Sequence, residues 1–209
     1  MPNVLNPRGH FEPIHAAHAI EQVAFVLRME QPLEEASFAL AREAVKQFKN
    51  ESDLPGQAEV KTLAFAFGPV GQPSQHPSQF LSQPSPIVLN RMAADGTPEK
   101  ELRIDHDSIT FKTLRYTRWE AAWLQARKYF EIMVPIYAAN MKIAGISLNY
   151  VDKFKWVGNP TECRMSLLLH PSSIYLCPHI FEAEDFWHSH TGAFLRADEY
   201  TKRLLRSCK

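Results

Sequence analysis

The amino-acid sequence predicts an α+β fold: a mainly antiparallel sheet with helices packed on one face. Three observations predict it. Helical periodicity is confined to two long stretches, three strand-like runs follow one another with no helix between them, and the sustained strand-helix alternation of a parallel sheet is missing.

The first strand is Gln22–Met29, rich in β-branched and aromatic residues and closed by Pro32. From Leu33 to Asn50, Phe38, Ala41, Val45 and Phe48 recur at steps of three and four, the stripe of an amphipathic helix that stops before the Pro55-Gly56 turn. Glu34 and Glu35 fall in its first turn, where carboxylates complement the positive end of the helix dipole. A second strand is expected across Glu59–Phe67, on Val60, Leu63, Phe65 and Phe67. Gly68–Pro86 then holds five prolines among glutamines and serines, with few apolar residues. It reads as a long loop, and as the one candidate sub-boundary within a single 1–209 domain.

Ile87–Met92, Glu101–Ile104 and Ser108–Tyr116 read as a three-stranded meander, turned at Asp95-Gly96 and at Asp105-His106-Asp107. Ile109, Phe111 and Thr113 supply its period of two. Thr117 is placed as N-cap of the next helix, with Glu120 completing a capping box. Trp119, Trp123, Ala126, Phe130, Met133 and Tyr137 form that helix's apolar stripe, and Pro135 predicts a kink or an end near Val134. Met141–Trp156 alternates as a long strand. The segment 157–209 is less regular, with a strand expected at Arg164–Leu169 and a final helix at Asp198–Ser207 capped by Asp198.

The 209 residues are 45% hydrophobic and 22% charged, enough for a core that needs neither disulfides nor metals. Lysine plus arginine equals aspartate plus glutamate at 23 each, so no net field draws the chain to a polyanion or an anionic membrane. Neither general nucleic-acid affinity nor membrane association is expected. Cys163, Cys177 and Cys208 lack the spacing of a disulfide framework and read as reduced thiols. Met1–His18 has no continuous apolar stretch of the signal-peptide kind, and no run approaches the ~20 apolar residues of a membrane span. A cytoplasmic setting follows as the expectation.

Ile20-Glu21 ahead of the first strand, Tyr116-Thr117-Arg118-Trp119 opening the long helix, and Ile146 to Asp152 in the strand after it are shared features of another kind. In these positions, scattered over Phe11 to Trp156, the chain resembles a sporadically distributed family of uncharacterised prokaryotic proteins. The resemblance implies a cytoplasmic, bacterial-type α+β protein and supplies no catalytic residue.

The sharpest cluster of reactive side chains is Cys177-Pro178-His179 followed by His188-Ser189-His190, with Glu182, Glu184 and Asp185 between them. Thiolate and imidazole suit zinc, although the spacing matches no zinc-finger pattern. His10, His15 and His18 precede the first strand, and His18 with Glu21 is expected to fix its entry. Nucleophile elbows and glycine-rich phosphate loops are missing from a chain with eight glycines.

These features predict a non-catalytic binding or assembly protein acting through protein-protein contacts, self-association included. Phe80, Leu81, Phe181, Phe186 and Trp187 are the apolar groups a partner would bury. The alternative is a metal-dependent hydrolase or nuclease, with zinc held by Cys177, His179, His188 and His190. A second alternative is an RNA-binding module stacking bases on Phe111, Tyr116 or Tyr150.

Overall fold

A computed structural model describes residues 9–50, 53–59, 85–139, 141–174, 176–182, 189–197 and 200–208. The chain divides into two compact units, one of Ala19–Lys153 and one of Met1–His18 with Phe154–Lys209. Most of the 68–86 loop lies outside the described residues. Among those residues no helix is long and apolar enough to cross a membrane.

In Ala19–Lys153 a six-stranded antiparallel sheet carries helices on one face, the α+β architecture that the sequence predicts. The strands are β2 (Ile20–Met29), β3 (Gly56–Glu59), β4 (Ile87–Met92), β5 (Pro98–Ile104), β6 (Ser108–Thr113) and β7 (Ile143–Asp152), in the spatial order β3-β4-β5-β6-β2-β7. The meander β4-β5-β6 stands where three successive strand patterns predict it. Its first turn puts Gly96 at φ +81°, a conformation that suits glycine, and Asp95 accepts from the Thr97 amide. Of the expected Glu59–Phe67 strand only the edge at Glu59 falls among the described residues, as the end of β3.

The predicted Leu33–Asn50 helix is two pieces, α1 (Glu35–Ala44) and α2 (Lys46–Asn50). At Val45 the hydrogen bonding tightens, with the Phe48 amide reaching the Val45 carbonyl three residues back. The stripe survives the break: Phe38, Ala41, Val45 and Phe48 are all buried.

The long helix α3 spans Trp119–Ala138, with a different cap from the expected one and, of the kink or end expected near Val134, no end there. Arg118, in extended conformation, is the N-cap rather than Thr117, and no side chain caps the helix. Nor does the helix end at Val134; it passes through Pro135 for a further turn. Contacts beyond the proline outweigh the lost backbone bond. Tyr137 is fully buried and its hydroxyl donates to the Asp105 carbonyl. Burial beside Asp105 and Asp107 pushes the Tyr137 phenol well above its ordinary pKa, which keeps it a donor.

The core lies between this helical layer and one face of the sheet. Val23, Phe25, Leu27, Leu89, Leu102, Ile104, Ile109 and Phe111 meet Phe38, Phe48, Ala126, Tyr129 and Met133. Two polar anchors fix the layer. Tyr129 donates to Asp53, which also takes Lys100 at 3.1 Å. His106 stacks on Phe38, ring centroids 3.8 Å apart, and donates from Nδ1 to the Leu33 carbonyl at 2.8 Å.

In the other unit, β1 (His10–Pro13) pairs with β8 (Phe154–Val157), and Phe11 meets Trp156 edge to face at 5.0 Å. The long Met141–Trp156 strand is thus two strands in separate sheets, interrupted at Lys153. Two further expectations fail here. Arg164–Leu169 is no strand but holds a 3-10 turn, Met165–Leu167, closed by local bonds from Leu167 and Leu168 to carbonyls three residues back. The predicted helix Asp198–Ser207 is the strand β10 (Tyr200–Cys208), paired with β9 (Ser189–Ala197) from Ala197-Tyr200 to Ser189-Cys208. A helix that short repays its nucleation cost poorly, whereas a nine-pair hairpin ladder satisfies the same backbone groups.

Candidate interaction surface

Strand β2 is flanked by β6 on one side and β7 on the other. Its inward residues therefore head two rows: Val23 pairs with Thr113 and Tyr150, Phe25 with Phe111 and Leu148, Leu27 with Ile109 and Ile146. Directly paired residues project to the same face of a sheet. Ile146, Leu148 and Tyr150 thus lie on the helical face, yet they are 77%, 43% and 40% exposed.

The helical layer stops short of them. Trp119 and Trp123, one turn apart at the start of α3, stack parallel to each other with centroids 6.1 Å apart, and their rings lie 5.6 and 5.8 Å from Phe25. Each tryptophan is 41% exposed, so the pair is divided between contact with Phe25 and solvent. Tyr116 closes the row's end against Tyr150, edge to face at 6.0 Å. Phe25, which both tryptophans meet, is itself paired with Leu148 of the exposed row.

The edge is interrupted near one end, where the register with β2 shifts between Gly145 and Ile143 and leaves Ala144 as an extra residue. From Ile143 to Val151, β7 carries no charge and no proline, and its register with β2 is unbroken from Val23 to Arg28. Edge strands are commonly protected by lysines, prolines or bulges that prevent further pairing. Here the flanking charges stand outside that stretch, at Lys142 and Asp152. Lys153 is engaged with Glu21 at 2.7 Å.

The residues singled out in sequence fare unevenly. Cys177 is a free, exposed thiol leading into the 3-10 turn Pro178–Phe181, and His179 is exposed on that turn. His190 sits on β9 opposite Ser207, and His188 lies outside the described residues. Among the described residues no group of three or more His, Cys, Asp or Glu side chains could hold a metal ion. Of the expected partner-binding groups, Phe181 is half-buried beside the buried Ile180, whereas Phe80, Leu81, Phe186 and Trp187 lie outside the described residues. Phe111 cannot stack a base: it is fully buried, with Tyr129 at 5.1 Å. The Asp105-His106-Asp107 triplet is structural. Asp105 binds Arg103 through two hydrogen bonds of 2.8 and 3.0 Å, and His106 anchors the entry to α1.

Sequence reasoning missed the β7 row, and it placed Trp119 and Trp123 in the apolar stripe of α3. The uncharged run from Ile143 to Val151 was the one signal available, because an uncharged strand matters only once it is known to be an edge. No protein-family model, curated protein or solved structure matches the chain.

Proposed function

We propose that this protein is a non-catalytic binding or assembly protein, cytoplasmic in setting, that holds another polypeptide strand against the β7 edge of its sheet. The observation that carries the proposal is an edge strand, uncharged from Ile143 to Val151, whose helix-side residues Ile146, Leu148 and Tyr150 are exposed. Strand addition at such an edge draws affinity from main-chain hydrogen bonds and selectivity from the alternate side chains. Aromatic groups such as Tyr150 are the usual anchors of protein interfaces. Free Cys163 and Cys177 are compatible with a reducing compartment.

A photo-crosslinking amino acid at Ile146, with the same group at the exposed Leu40 on α1 as control, tests the surface in cells. Adducts with polypeptide from position 146 and none from position 40 are expected. Absence of adducts at 146 in the folded protein would overturn the proposal.

A further inference from the structure

We draw no further inference here: the strongest candidate, the exposed helix-side row of β7 at Ile146, Leu148 and Tyr150, belongs to the surface already described, and nothing in the structure shows what covers it.

Discussion

Strands β6 and β7 are the two neighbours of β2, alike in direction and both apolar on the side facing the helices. Ile109 and Phe111 on β6 are fully buried, whereas their counterparts across β2, Ile146 and Leu148, are exposed. The difference is the cover. On α3, Tyr129 meets Phe111 of β6, and Trp119 and Trp123 meet Phe25 of β2, whereas Ile146 and Leu148 on β7 are left exposed. An apolar face thus tells what a strand could bury, and the position of a helix tells what it does bury. The remainder is surface available to a partner.

Substitutions on the two strands should separate accordingly. Phe111→Ala is expected to cost about 3–5 kcal/mol in urea unfolding, because the closed layer around it cannot collapse into the space. A loss under about 1 kcal/mol would mean that β6 is no better covered than β7 and would break the comparison.

The cover itself is fastened by Asp53. Burial raises this carboxyl's pKa, but hydrogen bonds from Tyr129 and Lys100, with the charges of Lys100 and Lys128, outweigh that and hold it below the ordinary carboxylate value. A lowered folded-state pKa stabilises the protein above the unfolded value of 3.8, and that stability is lost as pH falls through the lower folded value. Asp53→Asn is therefore expected to cost about 1–3 kcal/mol at neutral pH and to flatten the loss of stability on acidification below about pH 4. Urea midpoints across pH for both proteins check it; an unchanged acid slope would place the fastening elsewhere.

At the border, Trp123→Ala is expected to cost about 1–2 kcal/mol, intermediate because the ring is divided between Phe25 and solvent. The smallest change is Leu148→Ala. Measured by urea unfolding of the protein alone, it is expected within about 0.5 kcal/mol of wild type, its effect being reserved for partner binding.

Much of the fold was legible in sequence because its signals are local. The alternation of Ile109, Phe111 and Thr113 marked β6, the spacing of Phe38, Ala41, Val45 and Phe48 marked the first helical stripe, and Asp95-Gly96 marked its turn. The failures share a cause as well. The last turn of α3 survives Pro135 because Tyr137 reaches Asp105, thirty-two residues away. The segment after Asp198 is a strand because β9 lies beside it. Each depends on a partner distant in sequence, and local propensity carries no trace of it.

The candidate site was the least legible part. Composition and the run from Ile143 to Val151 established a neutral strand with tryptophans upstream, since those properties belong to the residues whatever they touch. Whether that strand lies in the middle of the sheet or at its margin is set by pairing order, and whether its apolar side is covered is set by where α3 crosses. Both are long-range relations among whole elements. They made β7 the margin, left its helical side open, and turned an ordinary strand pattern into a surface fit for another strand.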